Sequence, residues 1–343
     1  MEEKGVKKEA AAAENAVDLK KIQRVRFLKD NNSILILVAL LFVAFIGVDG
    51  FTGSWYNVAL YSAEYGICCL GLALVMICGN IDLSVGYNAA FCGVMFVITF
   101  NHIYNSTGNS ALGIIVGLIV ALITGGVLGA FNGVIITKVG VSPLIATIAT
   151  NYIYEGLVMN FAKTSFAPVN KDAITPIAKY QIFGLRWLTP MVIIFLLFVL
   201  GTYLWMHYTR YGNRLHIVGD NPEAAEYAGI SVSKTAFTTF VLCGIMAGMT
   251  GFMMVAFSGA AIYTQGTTLG TFPISCVIIG GVKMTGGKGT AVHVLLGVLI
   301  MRTVSTMMST MFWSTNRVNL VTGLLLIAVL IVDRFTSTKS ADE

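Results

Sequence analysis

Charge is what this chain has least of. Asp, Glu, Lys and Arg together make up 11% of its 343 residues, against 56% hydrophobic. With a mean hydropathy of +0.79, no soluble globular domain of this size hides so much apolar surface, so lipid must solvate much of it. Alternation is missing too. A transmembrane β-barrel is written in segments of ~10 residues of alternating hydropathy, whereas runs such as LILVALLFVAFIGV (Leu35–Val48) are continuous. The expected class is an all-α polytopic membrane protein. The net charge of +5 then reports orientation in the bilayer, and nucleic acid is excluded as a partner.

Other absences exclude chemistry. The six cysteines (Cys68, Cys69, Cys78, Cys92, Cys243, Cys276) form no CxxC and no Cys/His cluster, so they read as small packing residues, with no metal site and no disulfide. His102, His207, His216 and His293 are scattered, with no Ser-His-Asp or His-carboxylate spacing, so no enzyme and no cofactor is expected. The run GGVKMTGGKGT (Gly280–Thr290) resembles a phosphate-binding loop. That pattern needs glycine where Val282 stands and Ser or Thr where Gly289 stands, and no strand precedes it, so nucleotide binding is rejected. A secretory signal is also lacking, because the first apolar run comes late. Before it, Leu19, Ile22, Val25 and Leu28 recur among Lys20, Lys21, Arg24, Arg26 and Lys29. That spacing suits a basic helix lying on the membrane surface; the alternative is a disordered charged tail.

Cutting the chain at polar and Gly/Pro-rich breaks leaves about ten crossings of ~20 residues. They fall near Ser33–Asp49, Val58–Gly79, Leu83–Asn101, Ala111–Thr137, Pro143–Phe161, Leu188–Tyr208, Thr235–Phe257, Thr267–Val282, Thr290–Met311 and Val318–Val332, the eighth short enough to be broken or tilted. An even number puts both termini on one side. That side collects the eight basic residues before Asp30 with Lys138, Arg210, Arg214, Lys234, Lys283, Lys288, Arg334 and Lys339. The other side has only Lys163, Lys171, Lys179, Arg186 and Arg317, so both termini are expected in the cytoplasm. The organisation read from this is a basic tail over 1–32, a membrane domain over 33–333 with a cytoplasmic loop at 209–234, and a tail over 334–343.

Between the second and third apolar runs stands GNIDLSVG, Gly79–Gly86. Gly79 and Gly86 let the chain leave one helix and enter the next tightly. Asp82 or Ser84 is placed to accept from the first amides of the following helix, and Asp82 favours its positive end. Irregular backbone at membrane depth is tolerated only where protein or a wet cavity satisfies it, and broken helices mark transport pathways. The octapeptide therefore reads either as pathway lining, with Asn80 exposed to solute, or as a structural cap. A matching Gly/Leu pattern at Gly266–Gly270, set at the opposite membrane face by this topology, suggests a counterpart in an inverted five-plus-five repeat.

The cytoplasmic loop carries a helix start. Asn221 is an N-cap, Pro222 sits at the first helical position, Glu223 and Glu226 suit the helix dipole, and Gly229 stops it after about two turns. Ala224, Ala225 and Ala228 are expected to share one face. Such a helix is either a docking knob for another protein or an ordinary capped linker.

The segment RYGNRLHIVGDNPEAAEYAGI (Arg210–Ile230) resembles the coupling loop of permeases in bacterial ATP-binding-cassette importers for ribose, xylose, galactose and related sugars. GNIDLSVG is similar to the GGIDLSVG element of that family. LGAFNGVIITKVGVSPLIATIAT (Leu128–Thr150), IIGGVKMTGGKGTAVHVLLGVLI (Ile278–Ile300) and GLLLIAVLIVDR (Gly323–Arg334) are similar to it as well. The likeness runs in order from Asn57 to Arg334. It implies a permease subunit without catalytic activity, working with a second permease subunit, a cytoplasmic ATPase and an external solute-binding protein. It also implies that Gly219, Asp220, Asn221, Pro222, Glu223, Ala224, Ala225 and Gly229 press on the ATPase. Two departures stand out: Asn80 replaces the second glycine of GGIDLS, and GTTLGTFPISC (Gly266–Cys276) lacks the acid of the Gly-Tyr-Glu-Leu stretch common in relatives.

Glu64, Glu155 and Arg302 lie within apolar runs, where ionisable groups face the bundle interior. They read either as partners of one another or of Asn and Ser neighbours, or as the proton relay of a secondary carrier. Gly125, Gly129, Gly133, Gly244 and Gly248 read as close-packing positions. Three functions therefore compete: a monosaccharide importer permease, a permease of the same superfamily for a nucleoside, branched-chain amino acid or sugar-like signal, and a proton-coupled carrier.

Overall fold

Small residues decide how the helices of this chain meet. The computed structural model describes residues 32–162 and 165–314 and, beyond them, 316–318, 320–324 and 327, with side chains from 36 onward. The basic helix read in 1–32, the tail 334–343 and most of the expected tenth span lie outside the described residues. The main helices are α1 (Asn32–Gly47), α2 (Tyr56–Ile77), α3 (Val85–Thr107), α4 (Ser110–Val134, extended by a π-helical turn Ile135–Val139), α5 (Pro143–Ala162) and α6 (Pro190–Tyr208). They continue with α7 (Arg210–Asp220), α8 (Pro222–Tyr227), α9 (Val232–Ser258), α10 (Tyr263–Thr268), α11 (Phe272–Gly280) and α12 (Ala291–Thr310).

Five of these are long and apolar enough to cross a membrane: α2, α4 with its π turn, α6, α9 and α12. α1 contributes a shorter apolar stretch, Ile36–Gly47. α3 and α5 have 23 and 20 residues and carry more polar side chains. The expected eighth span is two helices, α10 and α11, parted at Leu269–Thr271.

α2 is the axis of the bundle, with every residue from Ser62 to Ile77 buried. α4 is its converse. It buries Gly113, Gly117, Ala121, Gly125, Gly129, Asn132 and Gly133 and exposes Ile115, Ile119, Ile123, Val127 and Phe131. In lipid, outward Ile and Val cost nothing, and association comes from close contact between small residues. The α4–α9 seam works this way: a methyl group on Gly129 would lie 3.1 Å from the Gly244 Cα, and one on Gly248 2.9 Å from the Leu122 Cα. The four-residue glycine spacing is thus a packing device, as its pattern predicts. All six cysteines are buried and free.

At one end of the bundle, β1 (Ser165–Phe166) pairs antiparallel with β2 (Ala261–Ile262), Ser165 opposite Ile262 and Phe166 opposite Ala261. This strap fastens the 165–187 connection beside α10. At the other end lie α7, α8 and the 281–290 loop.

Candidate functional site

The octapeptide begins where α2 stops. Gly79, at φ +82°, takes the left-handed turn; its N–H donates to the Met76 carbonyl (2.9 Å), and the Asn80 N–H reaches the Val75 carbonyl (3.0 Å). These two bonds make a Schellman ending, which only a residue tolerant of positive φ closes without strain. α3 starts at Val85 after a non-helical passage.

That passage carries a buried polar chain. Asp82 Oδ1 accepts from the Ser84 N–H (2.9 Å) and the Ser84 hydroxyl (2.6 Å). Ser84 Oγ accepts from Asn132 Nδ2 (2.8 Å) on α4, and Asn132 Oδ1 accepts from the Tyr154 hydroxyl (3.4 Å) on α5. Tyr154 also donates to the Leu128 carbonyl (2.8 Å). All four side chains are essentially sealed from solvent. Neither of the two caps considered from sequence takes a helical amide of α3: Asp82 accepts from the N–H of Ser84, the residue before the helix, and Ser84 turns to Asn132. Unpaired, each of these groups would be costly at this depth; linked, they lock the entry of α3 to α4 and α5.

One turn further, Gly86 meets α10. A methyl group there would lie 2.6 Å from the Gly266 carbonyl and 3.0 Å from Leu269 Cβ. This corrects the expected topology: Gly266 is not at the opposite face from the octapeptide but against it, and Gly270 follows at the α10–α11 break. The reason is physical. Two glycines, Gly86 and Gly266, let the backbones come together beside the breaks in both helices.

The same turn gathers an acid. Glu155 Oε1, on α5, accepts from the hydroxyls of Tyr87 (3.0 Å) and Tyr263, and Tyr87 also touches Thr267 Oγ1 (2.9 Å). The Tyr87 and Tyr263 rings lie 5.7 Å apart. Sequence reasoning flagged Glu155 and expected it to pair with Glu64 and Arg302 or with Asn and Ser neighbours; tyrosines take that place. Tyr87, Tyr263 and Asn132 were missed, since an isolated Tyr or Asn in a helix has no sequence signature. Glu64 and Arg302 lie apart from Glu155 and share one cavity.

The predicted cytoplasmic helix is α8. Asn221 Oδ1 accepts from the Ala224 N–H (3.0 Å), Pro222 opens the helix, and Gly229 (φ +76°) ends it, with Ile230 N–H on the Ala225 carbonyl (2.9 Å). Its faces are a correction: Ala225 is buried, while Glu223, Ala224, Glu226, Tyr227 and Ala228 are exposed. The three alanines do not share one surface, because at 100° per residue Ala224 and Ala225 diverge. α7 was not foreseen. Thr209 Oγ1 accepts from the Gly212 N–H (3.1 Å), a cap readable in the sequence.

α7 ends on a junction of three glycine-bearing turns. The Gly287 N–H donates to the Ile77 carbonyl (2.9 Å), and His216 Nδ1 lies 2.9 Å from the Gly287 carbonyl. A methyl group on Gly286 would sit 2.7 Å from the Gly219 carbonyl and 3.0 Å from the Gly79 Cα, and one on Gly287 2.9 Å from the Asp220 Cα. The end of α2, the end of α7 and the loop that resembles a phosphate-binding motif thus touch backbone to backbone.

Residues 54–330 match the family described as branched-chain amino acid transport system / permease component. The ribose import permease protein RbsC of Escherichia coli (strain K12) is 29% identical over 279 residues, 80% of this chain and 84% of its own length. The autoinducer 2 import system permease protein LsrC of Klebsiella pneumoniae subsp. pneumoniae is 27% identical over 299 residues, 86% of this chain and 84% of its own. LsrD, of the same system in Photorhabdus laumondii subsp. laumondii, is 28% identical over 242 residues, covering 68% and 69%. No solved structure matches the chain.

Proposed function

The chain belongs to the branched-chain amino acid transport system permease-component family, and from that premise we propose that it forms the membrane path of an ATP-binding-cassette importer for a monosaccharide. It is a multi-pass protein of the bacterial inner membrane. In the proposed assembly a second permease subunit completes the path. An external binding protein delivers the solute, and a separate cytoplasmic ATPase drives transport. Both termini lie on the ATPase side, where the basic residues collect.

One observation carries this reading: α8, exposed on its Ala224 side, connects through α7 to a junction that touches the end of α2, from which the octapeptide leads into the broken-helix centre. A push on α8 has a short, stiff route to Asp82 and Gly86. A capped helix transmits displacement; a floppy loop absorbs it. Gly219, Asp220, Asn221, Pro222, Glu223, Ala224, Ala225 and Gly229 are the coupling segment in this proposal. Gly79, Asn80, Asp82, Ser84, Gly86, Gly266 and Gly270 frame the path, joined by Tyr87, Glu155 and Tyr263.

The solute class rests on the hydroxyl-rich surroundings of Glu155 and on relatives whose names specify ribose and autoinducer 2 import. A branched-chain amino acid asks for an apolar slot beside its charged groups, and the Tyr87–Glu155–Tyr263–Thr267 cluster offers hydroxyls and a carboxylate.

The test is co-reconstitution with an ATPase and a binding protein in vesicles, measuring labelled ribose, xylose and galactose uptake. ATP-driven uptake is expected, with Ala224→Arg lowering it at least tenfold while membrane insertion is unchanged. Uptake by the chain alone under a pH gradient, insensitive to that substitution, would instead establish the proton-coupled carrier.

A further inference from the structure

We propose that the cavity between α2, α10 and α12 is a binding site for a neutral polyhydroxylated solute, distinct from the Tyr87–Glu155 cluster. The proposal deepens the permease reading and rests on it. The cavity is an open cleft of about 370 Å³, lined by Glu64, Tyr65, Gln265, Arg302, Ser305 and Ser309, among others. It lies at the end of the bundle remote from the glycine junction, where α9 and α12 finish. Its volume falls in the lower part of the ~300–1,000 Å³ range of small-molecule sites.

The chemistry points to hydroxyls. Arg302 is only 9% exposed, and among the described residues its Nε and Nη2 have no hydrogen-bond partner. Its guanidinium lies 4.1 Å from the Phe272 ring centroid and 4.5 Å from that of Tyr65. Those rings offset part of the charge. Glu64, 4% exposed, sets a carboxylate in the same lining. An anion drawn to Arg302 meets the charge of Glu64, and a cation drawn to Glu64 meets Arg302. A hydroxyl suits both, because one oxygen accepts from a guanidinium while its proton goes to a carboxylate. A vicinal diol bridges the pair, and the Ser305 and Ser309 hydroxyls extend the same surface.

The location matters for transport. Gln265 and Thr268 line the cavity, while Tyr263 and Thr267 of the same short helix meet the Glu155 and Tyr87 cluster. An occupant therefore touches the helix that abuts Gly86.

Saturation-transfer NMR on the full chain in lipid nanodiscs, with millimolar D-ribose, D-xylose and D-galactose as probes, tests the site. Transfer to at least one neutral sugar is expected, reduced fivefold or more in Arg302→Lys and in Ser305→Leu, which fills the cavity without altering a charge. Absence of transfer in the wild type, or equal transfer in both variants, overturns the proposal. So does ribose 5-phosphate binding more strongly than ribose, which would mark an anion site. ATP-driven uptake in co-reconstituted vesicles separates the two readings. Unchanged uptake and binding in both variants removes the site and keeps the permease. Variant-sensitive binding without any ATP-driven uptake in the wild type keeps the site and removes the permease.

Discussion

The glycine junction and the broken-helix centre stand at the two ends of one short stretch, Cys78–Ser84, and are made of opposite materials. At the junction, Gly79, Gly219, Gly286 and Gly287 touch through backbone atoms. At the centre, Asp82, Ser84, Asn132 and Tyr154 are joined through side chains. Backbone contact admits no substitution larger than hydrogen and transmits position directly. A side-chain chain tolerates isosteric change and can exchange partners. The first arrangement suits a joint, the second a latch.

This contrast can be broken at its steepest point with Gly219→Leu. A side chain there meets the Ile77 carbonyl and the Gly287 amide, neither of which yields without unseating α7. We expect destabilisation of about 2–3 kcal/mol in a detergent melting experiment and loss of ATP-driven uptake of at least tenfold. A wild-type melting profile would show that the junction is loose.

Asn132→Leu tests the latch. It removes the donor to Ser84 and the longer of Tyr154's two contacts, the Leu128 carbonyl remaining as acceptor, at an expected cost of about 1–2 kcal/mol, read in the same melt. Uptake should fall less than in Gly219→Leu. A larger loss in Asn132→Leu would invert the assignment of joint and latch.

The smallest change sharpens rather than breaks the comparison. Asn221→Ala deletes the cap of α8 and should cost about 1 kcal/mol of local helix stability. The expected signature is faster amide exchange over 222–228, a modest drop in uptake and an almost unchanged global melt.

Legibility in the sequence follows the same division. Caps and terminators were readable because each acts on neighbours within four residues: Asn221 with Pro222, Gly229, and Gly79. The α4 and α9 glycines were readable through their four-residue repeat. The contact of Gly86 with Gly266 was not, since it depends on two interrupted helices meeting across about half the chain length, and topology alone set them apart. Gly286 and Gly287 were noticed as part of a decoy and of a family-like segment, but their contact was not, because local pattern shows that a loop turns but not what it turns against. Tyr87, Tyr263 and Asn132 escaped for a similar reason: one hydroxyl or amide on an apolar helix gains meaning only from its partners on other helices.

The β1–β2 strap has a mechanical corollary. Ile262 is the last residue of β2, and α10 begins at Tyr263, so no slack separates the two-pair ribbon from the helix bearing a Glu155 ligand. Whatever tugs on the Ser165–Phe166 segment draws the first residue of α10 with it. The far end of the molecule thereby has its own rein on the same short helix that rests against Gly86.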